Sequence, residues 1–141
     1  MKLNLFKNSF CILVLLCFAN LVYGQTPSTP NLPSNNIVYS DWQLSGESAS
    51  RIAVSYRVVK CDSVNEVQLK LVNNVDVDQN INIHLVIISN ATGDQITKDL
   101  NISLLKLQHM MGDCFDTNSF GLRIDLPVLY NPTDLKITTS F

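Results

Sequence analysis

The chain is poor in the residues from which most active sites are built. Its 141 residues include two histidines and one tryptophan, and only 16% are charged. Basic residues occur singly, with no cluster to track a phosphate backbone, so a nucleic-acid partner is not expected. No Gly-x-Ser-x-Gly elbow is present to expose a catalytic serine. No Asp or Glu occurs before Asp41. Nor does any apolar run reach the roughly 20 residues that a membrane-spanning helix needs.

The last two absences meet at the N-terminus. Lys2 and Lys7 precede a stretch from Phe10 to Val22 that is apolar except for Asn20, and polar Gln25-Thr26-Pro27-Ser28 follows. This is the layout of an export signal, with cleavage expected after Gly24. An uncleaved anchor would need a longer run, and a lipoprotein would need a small residue where Leu16 precedes Cys17. The expected product is soluble, exported to a periplasm or beyond the cell, and not an integral membrane protein. Taking the 24 signal residues from 141 leaves 117, enough chain for one core. Losing Lys2 and Lys7 moves the formal charge from −2 to −4. Cys11 and Cys17 leave as well, so Cys61 and Cys114 are the one intrachain pair. In an oxidising compartment they are expected as a disulfide, not as two buried thiols.

Residues 25–36 carry Pro27, Pro30 and Pro33 among Ser, Thr and Asn, and read as an extended leader. From residue 37 to 141 the hydrophobic period is two. Ile52, Val54, Tyr56 and Val58 alternate with polar or small residues, as do Val67, Leu69 and Leu71, and Ile81, Ile83, Leu85 and Ile87. The pattern returns over Ile96 to Leu104, Leu122 to Leu126 and Leu135 to Phe141, and Ile37 to Leu44 adds a further strand. Turn residues separate them at Ser45-Gly46-Glu47-Ser48, Cys61-Asp62-Ser63, Asn73-Asn74, Ser89 to Asp94 and Tyr130 to Asp134. Leu104, Leu107 and Met111 match a helical spacing but are too few, so this segment is read as a strand end entering a loop. About seven strands so punctuated imply an all-β, antiparallel Greek-key sandwich with one disulfide.

The order Trp42, Ile52-Ala53-Val54-Ser55-Tyr56-Arg57, Val67 to Asn74 and Ile81-Asn82-Ile83-His84-Leu85 resembles small secreted bacterial modules with an immunoglobulin-like or fibronectin-III-like sandwich. The resemblance covers most of residues 37–141 and implies binding, adhesion or assembly in place of catalysis. Trp42 departs from the immunoglobulin pattern by preceding Cys61, and Cys114 by lying in a loop-like Gly112-Asp113-Cys114 context.

Few residues carry chemistry. His109 and Met111 have the His-x-Met spacing of exported copper carriers, yet the second His and Met of such sites have no counterpart beyond His84. A loop methionine capping the core is the simpler reading. Zinc lacks four ligands at any usual spacing. Asp76-Val77-Asp78 lacks the further carboxylates and glycine of a calcium loop and reads as a solvated hairpin. His84 sits mid-strand opposite Ile83 and Leu85, as surface histidines do. Trp42 and Tyr130 are the candidate platform of a carbohydrate-binding module, although core burial of Trp42 is the expectation. Asn90-Ala91-Thr92 and Asn101-Ile102-Ser103 are sequons for a host that glycosylates. The expected protein is a secreted binding module without enzyme activity or cofactor. Its expected partner is a protein or an extracellular polymer, met by main-chain pairing at a sheet edge. The last strand either seals its own sheet or is donated.

Overall fold

The computed structural model describes residues 36–116 and 121–141; the expected signal and nearly all of the leader lie outside them. Among the described residues nine strands follow in chain order. They are β1 (Ile37–Val38), β2 (Gln43–Glu47), β3 (Ile52–Cys61), β4 (Val64–Asn73), β5 (Gln79–Ser89), β6 (Gln95–Leu104), β7 (His109–Met111), β8 (Arg123–Asp125) and β9 (Leu135–Ser140). All pairing is antiparallel and falls into two sheets. In the larger, the β3–β4 hairpin is flanked by β1 and β2 on one side and by β7 and β8 on the other. The smaller has the order β6-β5-β9. Among the described residues no helix is long and apolar enough to cross a membrane.

Period-two alternation explains the layering. Ile52, Val54 and Val58 of β3 and Val67, Leu69 and Leu71 of β4 turn inward to meet Ile81, Ile83, Leu85 and Ile87 of β5. Ile102, Leu104, Leu122, Ile124, Leu126, Tyr130 and Ile137 complete one cluster shared by both sheets. Burying side chains such as these contributes about 1.5–3 kcal/mol each. This is the all-β, antiparallel two-sheet architecture expected from the sequence.

Immunoglobulin connectivity is not what these pairings describe. There the second and third strands lie in opposite sheets and a disulfide spans the core. Here β3 and β4 make one hairpin, joined over Asp62 and Ser63, with Cys61 opposite Val64. Asp62 takes a left-handed conformation (φ 54°), which its short polar side chain tolerates. The Cys61–Cys114 disulfide ties the end of β3 to the loop after β7, beside the same sheet.

Local chemistry accounts for nine strands where seven are expected. The first expected strand divides because Ser40 Oγ accepts the Val58 amide at 2.9 Å, and the Tyr39 and Ser40 amides share the Val58 carbonyl. These bonds interrupt the ladder between β1 and β2 and start Trp42 on a new path. Ser45-Gly46 proves to be a register irregularity inside β2, not a turn. The reversal comes at Ser48–Arg51, where Ser48 accepts the Ile52 amide through its side chain and Arg51 has φ 61°. The short β7 forms because the chain, leaving β6, crosses to β4 and pairs His109, Met110 and Met111 with Val72, Leu71 and Lys70. Buried Asn73 holds that crossing, donating to the Val77 and Leu105 carbonyls at 2.8 and 2.9 Å.

Candidate functional site

The outward face of the larger sheet gathers the residues that the core leaves over. Opposed residues in an antiparallel pair point to the same face, so the pairing defines rows across the sheet. One row runs Leu44–Ser55–Lys70–Met111 across β2, β3, β4 and β7. The next holds Arg57, Gln68 and Arg123 on β3, β4 and β8. Trp42, just before β2, places its ring beside both rows: the Arg57 guanidinium carbon stands 4.6 Å and the Lys70 ammonium 4.9 Å from the ring centroid. Both are cation–π distances. Trp42 is half-buried and lies outside the core cluster, correcting the expectation of core burial. The broken first strand is the reason, since it turns the indole onto the sheet's outer face.

Below this cluster the same face is closed and polar. Gln68 is fully buried; its Oε1 accepts from Arg57 Nε at 2.9 Å, and its amide nitrogen lies 3.5 Å from both sulfurs of the disulfide and from Glu66 Oε2. Glu66, 1% exposed, receives two hydrogen bonds from Arg123, one of them from Nε at 2.8 Å. Its carboxylate, with help from Asp125 and Asp113, holds the Arg123 guanidinium above its ordinary pKa against the opposing effect of burial. Among the described residues no buried side-chain nitrogen or oxygen lacks a partner. Cys61 and Val59 are buried here although they occupy the outward phase of β3.

The ion pairs of the described residues use Arg51, Lys106 and Arg123 as cations, and His84 stands against Asp99. Arg57 and Lys70 are not among them. All 12 acidic residues fall within the described segments, and none pairs with either cation, Asp41 beside Trp42 included. The cluster thus presents two positive charges and an indole, flanked by Leu44 (70% exposed) and Met111 (46% exposed).

Other sequence candidates are dispersed. Tyr130 is 5% exposed in the shared core, so its ring offers no stacking platform with Trp42. Burial, then the charge of Asp94, raises its phenol pKa above 10.0. His109 and Met111 do share the outer side of β7, next to Val72 and Lys70, while Met110 packs toward the core and Cys114 is held in the disulfide. His84 is on the outer face of the other sheet, where Nδ1 lies 2.6 Å from Asp99 Oδ1 beside a groove of 460 Å³ that Ser140 and Phe141 also line. Asp76 pairs with the Lys106 ammonium at 3.4 Å and Asp78 accepts the Lys106 amide. Among the described residues no three His, Cys, Asp or Glu side chains gather as a metal site would require. Arg57 and Lys70 escaped the sequence reading. Their polar strand phase was visible, but their adjacency follows only from the two-residue β3–β4 turn, which sets Arg57 against Gln68 and Ser55 against Lys70.

No family model, curated protein or solved structure matches the chain.

Proposed function

We propose that the protein is an exported, non-catalytic binding module, related in manner to small secreted bacterial sandwich modules, that engages a protein partner through the outer face of its larger sheet. The observation that carries this reading is the row Leu44–Ser55–Lys70–Met111 beside Trp42 and Arg57, which leaves apolar side chains exposed around two cations. Trp, Met and Arg are the side chains most enriched in protein interfaces, and Trp and Arg dominate their energetics.

A face is favoured over the edge expected from sequence. β9 is already paired with β5 from Leu135 to Ser140, and its Thr139 hydroxyl meets Ser45 of β2 at 2.7 Å. On β6, the opposite edge of that sheet, Lys98 opposes buried Leu85 and thereby occupies the inward phase. Inward-pointing charge on an edge strand opposes strand addition. Carbohydrate binding remains a second reading on one observation, the partial exposure of Trp42; Tyr130 has no part in it.

Oxidative footprinting of the full chain, alone and with envelope material of its host, tests the face. Protection of Trp42 and Met111 with unchanged labelling of His84 is the expected result. Protection of His84 with Trp42 and Met111 still labelled would move the contact to the other sheet and end this reading.

A further inference from the structure

We infer that the partner segment is an extended acidic–apolar peptide, whose carboxylate is received between Arg57 and Lys70 while apolar side chains on either side cover Leu44 and Met111. This rests on the reading of the sheet face as a protein-binding surface and specifies what that surface accepts.

Charge is the first ground. Arg57 commits only Nε, to Gln68, and a guanidinium has five N–H donors, so its terminal nitrogens remain for a bidentate carboxylate. Lys70 has no carboxylate partner and contacts the Trp42 ring. Two cations gathered on one ring are arranged before the ligand arrives, which lowers the ordering cost of binding. Gln68, which accepts from Arg57, is fully buried in the sheet and rests against the disulfide.

Spacing is the second. From Leu44 on β2 to Met111 on β7 the row crosses three strand-to-strand gaps, about 14 Å at roughly 4.8 Å each. An extended peptide covers about 14 Å in four residues at roughly 3.4 Å each, and alternate side chains point the same way. Apolar residues at positions i and i+4 therefore reach Leu44 and Met111, and an acidic residue at i+2 falls over Ser55 and Lys70 with Arg57 diagonally adjacent. A polysaccharide acid would satisfy the cations yet leave both apolar side chains facing hydroxyl-rich polymer, and for that reason the peptide is favoured.

Trp42 is the only tryptophan, so its fluorescence reports on this site alone. The purified full chain is titrated with a peptide containing Leu-Thr-Glu-Thr-Leu, with its Leu-Thr-Gln-Thr-Leu counterpart, and with alginate. The Glu peptide is expected to shift Trp42 emission saturably and to bind about tenfold more tightly than the Gln peptide. That preference should shrink between 0.1 and 1 M salt, as the screening length falls from about 10 to about 3 Å. Lys70→Gln should remove most of the preference, and because Lys70 contributes no hydrogen bond to the buried network, the fold stays intact. Arg57→Lys should retain part of it and Arg57→Gln none. Equal binding of the two peptides, or a shift with alginate and neither peptide, would overturn the assignment. Footprinting protection at Trp42 and Met111 without a peptide shift would defeat this inference and leave the binding face standing.

Discussion

Arg123 and Glu66 illustrate how much a single residue's environment decides. A carboxylate that is 1% exposed on the outward phase of a strand is tolerable chiefly because Arg123 binds it through two nitrogens, with the Gln68 amide beside it. Arg123→Met leaves that charge buried and unmatched, and a loss of about 3 kcal/mol is expected in denaturant unfolding. The double variant Glu66→Leu/Arg123→Met should regain most of it; if the single change costs under about 0.5 kcal/mol, the pair is not structural. Tyr130 makes the corresponding point for pH. Its folded-state pKa is raised above 10.0, so the folded protein holds that proton longer than the unfolded chain does. Its contribution to stability is complete below pH 10 and fades as the pH climbs through the raised value. Comparing unfolding of the wild type and Tyr130→Phe from pH 8 to 11 should show a shallower alkaline decline in the variant; parallel curves would exclude the effect. Arg123 and Tyr130 were legible only as a polar alternation and a turn tyrosine. Burial was hidden because it depends on what packs over them, and neighbours in space are not neighbours in the chain.

At the scale of elements, the period-two runs located β3, β4, β5, β6 and β9 well, because half-buried strands must alternate. Short pieces were less legible. β1 and β2 read as one strand, and β7 as a strand end, since Ser40 side-chain bonding and a crossing between sheets leave no periodic trace. Gly112, just past β7, shows how tightly that strand's end meets the approach to β8: a Cβ there would stand 2.5 Å from the Leu122 carbonyl oxygen, while its amide donates to Leu69 at 2.9 Å. Gly112→Ala must push the β8 approach away from β4, and a cost of about 1–3 kcal/mol is expected in thermal or chemical unfolding. An unchanged midpoint would mean that the segment yields freely. β6 carries a different device. Lys98→Val removes the only charged side chain on the inward phase of that edge strand and should raise concentration-dependent association, followed by light scattering.

For the molecule as a whole, one covalent link stands out. The Cys61–Cys114 disulfide closes a loop over a sequence separation of 53, which on the chain-entropy account stabilises by about 4 kcal/mol. Cys61→Ala/Cys114→Ala should lose about that much and become indifferent to reductant, whereas the wild type should soften in dithiothreitol. A wild type equally stable in reductant would remove the bond from the account. The sequence by itself determined the all-β class and the inward residues of the long strands, while the cysteine pair was expected only on the premise that a signal removes Cys11 and Cys17. The first two follow from local rules, period-two burial and turn chemistry. Only the tertiary structure decided how two sheets are wired, that Tyr130 is in the core while Trp42 is on the face, and that Arg57 and Lys70 meet at its ring. The physical reason is strand register. A two-residue turn and a broken first strand bring together side chains that lie 13 to 28 positions apart, and no local pattern records that distance.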